Sequence, residues 1–269
     1  MRFTTVNVNG IRAAIRKGMG PWVEEESPDI LALQEVRAPA TLVSDLLPGS
    51  WQIVESESVL KGRAGVAIAL GEGAQLLAER HGLDGENPVD TGRWVEADVR
   101  IGQTELTVVS AYLHSGEKAN EEKMAAKYRH LDMVSARLDE LNDGRHLIMA
   151  GDFNVVRSEK DIKNFKPNHN KTSGVLDEEM AYLAAWFDTY ADVHRHVEGD
   201  VQGPYTWWSW RGRAFDNNAG WRIDYQLADH ALAGVASNAR VFRATGHDTR
   251  WSDHAPLSID YELGNLPRS

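Results

Sequence analysis

The 269-residue chain has no cysteine, which excludes disulfides, thiolate nucleophiles and cysteine-built zinc sites. It also has no long hydrophobic run. The opening MRFTTVNVNG lacks the apolar stretch of a secretion signal, and no segment approaches the ~20 apolar residues of a membrane-spanning helix. The expectation is a soluble cytoplasmic protein with no membrane partner. Neither a serine nucleophile elbow nor a glycine-rich phosphate loop is present, so acyl-enzyme chemistry and nucleotide cradling have no local signature.

Excess positive charge is lacking as well. A net charge of -11 excludes indiscriminate nucleic-acid binding, which depends on neutralising phosphates with Lys and Arg. The average conceals segregation by sign. Arg2, Arg12, Arg16 and Lys17 occur in the first twenty residues without an acid, and RSEKDIKNFKPNHNK (157–171) carries five basic residues against two acidic ones. Acid gathers in EEES, EKANEE and LDEE. Such a surface can hold an anion on one face while the protein stays soluble.

What is present reads as strands. RFTTVNV, ILALQE, GVAIAL, WVEADVRI, ELTVVSAYL, HLIMAGDF, RIDYQLA and LSIDYEL are short apolar runs, several alternating with period two. Two stretches have helical spacing: 121–142, with Met124, Tyr128, Leu131, Val134, Leu138 and Leu141, and 178–190, with Met180, Leu183, Ala184 and Phe187. Strands often follow one another directly, which predicts mixed sheets. No low-complexity break divides the chain, so a single domain over 1–263 with a short tail, 264–269, is expected. Gly10, Gly65, Gly116 and Gly151 adjoin strand-like runs, where tight turns would aim side chains into a cleft.

Chemistry-bearing residues fall at the ends of these runs. In LIMAGDFNV, Asp152 and Asn154 lie two apart after Gly151, on one face if extended, where they could hold a hard cation or orient water, or simply form a turn. LALQEV ends in Glu35, a carboxylate that needs solvent, a partner or a metal. VNVNG carries Asn7 and Asn9, amide ligands for magnesium or calcium, with an Asn-Gly turn as the competing reading of Asn9. Asp224, inside RIDYQLA, needs a buried donor, which an imidazole or an arginine could supply. In WSDHAP, Asp253 and His254 are adjacent and so point apart on an extended chain; His254 is a structural hydrogen-bonder or a general acid/base. Together they suit metal-assisted phosphoryl transfer to water.

NVNGIRA, LALQEV, GRAGVAI, SAYLHSGE, AGDFNV, YTWWSWRG, GWRIDYQLA and SDHAPL, in that order, closely resemble the exodeoxyribonuclease III family of abasic-site (AP) endonucleases, within the endonuclease/exonuclease/phosphatase superfamily that includes DNase I. The resemblance implies a four-layer α/β sandwich of two packed mixed β-sheets flanked by helices. It makes Glu35 the principal Mg²⁺ ligand (Mn²⁺ able to substitute), helped by Asn7, Asn9 and Asp253, with Asp152, Asn154 and His254 also near the ion. Tyr112 would contact the scissile phosphate, Asp152 would activate water or protonate the leaving group, and Asn154 would hold water or phosphate. His254, oriented by Asp224, would stabilise the developing charge.

The same resemblance implies that Trp207, Trp221 and Ile223 form a pocket for a flipped abasic sugar, and that Arg12, Lys17, Lys163 and Asn168 contact the DNA backbone. Trp207, Trp208 and Trp210 have the alternative reading of packing aromatics. The implied partner is double-stranded DNA with abasic sites or 3' ends, cut by a monomer with AP endonuclease, 3'-to-5' exonuclease and 3'-phosphatase activity. One motif departs: YLHSG has His114 and Ser115 where many members have a proline and an amide, which bears on the balance between exonuclease and incision. Two rivals remain, a superfamily phosphatase or phosphodiesterase on a small molecule or lipid, and a catalytically silent DNA-binding module.

Overall fold

The computed structural model describes residues 1–266. Twelve strands form in chain order: β1 (Arg2–Asn7), β2 (Ile30–Gln34), β3 (Gln52–Ser56), β4 (Val66–Leu70), β5 (Ala74–His81), β6 (Trp94–Ile101), β7 (Thr104–Tyr112), β8 (Leu147–Asp152), β9 (Ala191–Asp192), β10 (Asp224–Ala228), β11 (Ala236–Val241) and β12 (Leu257–Tyr261). The eight helices are α1 (Ile11–Arg16), α2 (Met19–Glu26), α3 (Ala40–Leu46), α4 (Glu121–Leu141), α5 (Phe165–Asn168), α6 (Asp177–Thr189), α7 (Val193–Glu198) and α8 (His230–Gly234). All eight runs read as strands in the sequence are strands. β3, β5 and β11 lacked a clear apolar alternation in the sequence: QIVES and ASNARV are rich in polar residues, and β5, AQLLAERH, is mostly exposed.

One sheet has the order β11-β12-β1-β2-β4-β3 and the other β5-β6-β7-β8-β10-β9. Each contains one parallel pair, β1 with β2 and β7 with β8, amid antiparallel neighbours. A parallel pair needs a crossover, supplied by α1 and α2 in the first case and α4 in the second. It also sends both carboxyl ends to the same rim. Asn7 therefore pairs with Gln34, next to Glu35, and Tyr112 pairs with Asp152.

The inter-sheet core joins Phe3, Ile30, Val54, Ile68 and Leu257 of one sheet to Val95, Val108 and Ile148 of the other. α1, α2 and α3 cover the first sheet through Ile11, Val23 and Val43, and α4 and α6 cover the second through Leu131, Leu138, Leu183 and Trp186. Four layers result. Where the sheets approach the rim, polar bonds replace apolar packing: Gln34 Nε2 donates to Ser110 Oγ at 3.0 Å, and Ser110 Oγ donates to Leu33 O at 2.9 Å.

The expected boundary at 263 falls at the start of a 3-10 turn, Leu263–Asn265, and Leu266 packs against the inter-sheet core. The rest of the expected tail, 267–269, lies outside the described residues. No helix among the described residues is long and apolar enough to cross a membrane.

Edge strand β3 carries Glu55, buried with neither carboxylate oxygen hydrogen-bonded. Burial, helped by Glu57, pushes its carboxyl up to about 8. A raised folded-state value means the unfolded chain ionises first as pH rises, so this group favours folding below pH ~4.5 and loses that contribution on the way to pH 8. Glu55→Gln should remove this slope, raising the thermal midpoint at pH 8 relative to wild type while changing it little at pH 4.5. Calorimetry across that range is the measurement.

Candidate active site

Asp152 and Asp224 are direct register partners on the antiparallel strands β8 and β10, and both are fully buried. Two carboxylates side by side in a dry interior repel each other and need a cation. His254 supplies it, with Nδ1 at 2.9 Å from Asp224 Oδ2 and Nε2 at 3.7 Å from Asp152 Oδ2. Burial opposes a charged ring, but Asp224, Asp152 and Asp253 outweigh it and push the imidazolium up to about 10. Asp152 itself is driven up to about 7, by burial first and by the Asp224 and Glu35 charges, against the pull of His254. Asp224 is further fixed from behind, where Thr206 Oγ1 accepts from its N–H and that of Ile223 at 3.1 Å each.

Gly151 makes the Asp152 position possible. At φ 145° a side chain is disfavoured, and a Cβ there would lie 1.9 Å from Ala111 O on β7. Beyond it the chain does not stay extended as the Asp-x-Asn spacing implied. Asp152 Oδ1 accepts from Asn154 N at 3.0 Å, Asn154 turns to φ 52°, and its Nδ2 donates to Leu113 O at 2.9 Å. Asp152 faces the site while Asn154 ties β8 to the end of β7.

Across the sheet interface, Asn7 Nδ2 donates both to Glu35 Oε1 at 2.9 Å and to Asp152 Oδ2 at 3.0 Å, while Asn7 Oδ1 accepts from Asn9 N at 3.0 Å. Asn7 thus bridges carboxylates from two sheets. Asn9 Nδ2 in turn donates to Asp253 Oδ1 at 2.8 Å, and Trp207 Nε1 donates to Asp253 Oδ2 at 3.1 Å. These donors and the nearby His254 charge hold Asp253 below its ordinary value despite burial. Asp253 and Glu35 are linked through Asn7 and Asn9 rather than touching. Asn9 (φ 48°) and Glu35 (φ 49°) both take left-handed backbone, uncommon for residues with side chains and concentrated at functional sites. Burial and the Glu35 and Asp152 charges push Tyr112 far up, leaving its phenol a neutral donor.

Arg37 was not foreseen: its guanidinium pairs with Glu35 Oε2. Neither was the fully buried ion pair of Lys127 with Glu179 at 2.7 Å. Lys127 Nζ also donates to Ser115 O and Asn154 O at 3.1 Å each, holding the loops after β7 and β8 together. The signal was in the sequence. Positions 124, 127, 130, 131, 134, 138 and 141 are the buried stripe of α4, so the lysine, not Tyr128, occupies a core position.

Beside His254, Trp207 packs edge-on against Trp221 at 5.7 Å, and both join Ile162, Val175 and Ile223 in an apolar cluster. Trp208 is core, as its alternative reading held, and Trp210 is exposed. Arg12, Lys17 and Lys163 are exposed; Lys17 Nζ lies 5.1 Å from the Trp210 ring centroid. Asn168 is engaged with its own loop, donating to Asn164 O and accepting from Thr172 Oγ1.

Among the described residues, Asp152, Asp224 and His254 are the one group of acids and imidazoles whose atoms lie within 4.8 Å of one another, close enough to share a metal ion. An imidazolium between two carboxylates at the rim of a two-sheet sandwich defines a class of hydrolases, and residues 4–254 match the Endonuclease/Exonuclease/phosphatase family, to which this chain belongs. It is 30% identical over 262 residues to the exodeoxyribonuclease of Bacillus subtilis (strain 168), covering 96% of this chain and 98% of that one. In structure it is similar to the 3' phosphatase NExo from Neisseria, bound to product DNA hairpin (TM-score 0.83, 26% identity, 97% of this chain and 99% of that one). It is similar also to an AP endonuclease from Archaeoglobus fulgidus (TM-score 0.80, 26% identity, with the same coverage). The chain is an enzyme of the exodeoxyribonuclease III type.

Asp224→Asn keeps a hydrogen-bonding side chain but removes the charge that sustains the imidazolium. The His254 titration midpoint, followed by NMR, should fall from near 10 toward the ordinary 6.5, so the ring is neutral over a wider alkaline range. An unchanged midpoint would show that Asp224 does not hold the proton.

Proposed function

We propose that the protein is a Mg²⁺-dependent DNA repair nuclease that hydrolyses the phosphodiester 5' to an abasic site, leaving a 3'-hydroxyl, and also removes 3' nucleotides and 3'-phosphates. The observation that carries this reading is the His254 imidazolium, held by Asp224 and facing Asp152, next to the apolar Trp207–Trp221–Ile223 wall. Charge stabilisation, a proton-transfer group and an apolar wall against which a flipped sugar could rest then adjoin one another.

In this reading Asp152, poised near neutral pH, takes the proton of the attacking water or gives one to the leaving oxygen. His254 and Tyr112 donate to the non-bridging oxygens. Removal of one such donor commonly costs about 10²–10³ in rate. Asn154 Nδ2 spends one proton on Leu113 O, which leaves its second N–H for phosphate and its side-chain oxygen for water.

The residues fit a hard divalent cation on the Glu35 side. Glu35, Asp253 and the amide oxygens of Asn7 and Asn9 are oxygen donors, the type magnesium requires, and Glu35 already attracts the Arg37 guanidinium. Asn7 Oδ1 is taken by Asn9 N–H and would have to exchange partners. A protonated His254 disfavours a cation within the Asp152–Asp224–His254 group, so Asp152, Asn154 and His254 are better assigned to water and phosphate. Mg²⁺ or Mn²⁺, when bound, would supply charge near the leaving 3'-oxygen. Arg12, Lys17 and Lys163 would neutralise backbone phosphates of double-stranded DNA on an otherwise acidic protein, and Asn168 would first have to leave its loop contacts. Action as a cytoplasmic monomer, with residues 1–263 as one domain, belongs to the same proposal and rests on the family resemblance.

A duplex with one abasic analogue should be cut once, 5' to the site, with Mg²⁺ and not with EDTA. Product sizing that shows only 3'-end trimming would make the protein an exonuclease and phosphatase without incision. Glu35→Ala should demand at least about tenfold more Mg²⁺ for half-maximal rate, the range expected on loss of a direct ligand or its support. An unshifted metal titration would place the cation elsewhere.

A further inference from the structure

His114, one of the two residues that depart from the family pattern, is not idle: its Nε2 lies 3.1 Å from Asp90 Oδ2. Asp90 Oδ1 accepts from Arg93 Nε at 2.9 Å. The Arg93 guanidinium carbon lies 4.9 Å from the ring centroid of Tyr112, and Arg93 O accepts from Tyr112 N at 2.8 Å. Behind His114, the His130 ring stands edge-on at 5.0 Å, buried with neither nitrogen hydrogen-bonded. A continuous set of contacts thus runs from helix α4 to the phenol at the site.

Close packing is not what fixes Arg93. A cavity of about 300 Å³ borders it, lined also by Glu86, Asp90, His114, Arg129 and His130. With free space alongside, a guanidinium keeps one orientation only if hydrogen bonds impose it. Asp90 is the acceptor that does so. The His114 hydrogen bond and the Arg93 charge keep that carboxylate ionised far below its ordinary range.

We propose that Asp90, steadied by His114, is a positioning residue for Tyr112, acting through the Arg93 guanidinium stacked on the phenol ring. A cation over the ring face resists its rotation and adds positive potential where a phosphate would lie. This inference rests on the reading of Tyr112 as a phosphate contact. It gives His114 a task that a proline at that position could not perform.

The test is a double-mutant cycle on cleavage of the abasic duplex with Mg²⁺. Asp90→Ala should lower kcat about tenfold to a hundredfold, as small displacements of a catalytic group do, with KM changed less than about twofold. His114→Gln should have a smaller effect of the same kind. In a Tyr112→Ala background, Asp90→Ala should cost almost nothing further, because what it positions is gone. Equal cost in both backgrounds, or a rise in KM alone, would overturn the proposal and make Asp90 an independent DNA contact or a scaffold residue. Arg93→Lys, carried through the same cycle, keeps the charge but not the planar group and decides the question identically if Asp90→Ala fails to fold. If wild type does not incise the duplex, the abasic-site reading fails; if it does and the cycle is additive, only the positioning role fails.

Discussion

The site depends on the electrostatics of two buried carboxylates. Asp152 and Asp224 face each other across an antiparallel pair with no solvent to screen them. A single carboxylate in that position could be neutralised by taking up a proton; two adjacent ones favour a shared cation. His254 meets that need from the other sheet's approach to β12, so the pairing also ties the two sheets together at the rim. The proton on His254 and the raised value of Asp152 are consequences of one arrangement, not separate adjustments.

A second layer of ion pairs holds that arrangement in place. Arg222, next in chain to Ile223 and Asp224, is fully buried and bonded to Asp161 at 2.6 Å and to Asp192 at 2.7 Å. Lys127 and Glu179 do the same beneath the loops that carry Ser115 and Asn154. Such pairs add little net stability over apolar residues of equal size, but they tolerate only one geometry. Fixed loops around a polar centre are what electrostatic catalysis requires, since donors that must reorganise lose their advantage.

The acidic net charge and an assignment to DNA are compatible once the charge is placed. Arg12, Lys17 and Lys163 are exposed and free to meet phosphate, whereas the carboxylates of the site are buried or paired. Trp210 brings together Lys17 and Arg250, both within 5.1 Å of its ring centroid, so cationic and aromatic surface adjoin. A net charge constrains solubility and encounter; the local field selects the ligand.

Much of this was legible in the sequence. Alternation marked eight strands, and chemistry-bearing residues at strand ends marked the rim. The family resemblance also named Asp224 as the partner of His254, where the residues by themselves left an imidazole and an arginine equally open. What the sequence could not decide depended on turns and on distant pairing. Asp-x-Asn promised one face, yet the left-handed turn at Asn154 redirected the amide, and only the folded structure shows Asn7 Nδ2 bridging carboxylates of the two sheets. Lys127 stood openly on the α4 stripe, but only Glu179, 52 positions on, explains why a lysine is there. Periodicity is local and is written in the chain. Which carboxylate meets which cation is set when two sheets close, because charge pairing acts through space rather than along the backbone.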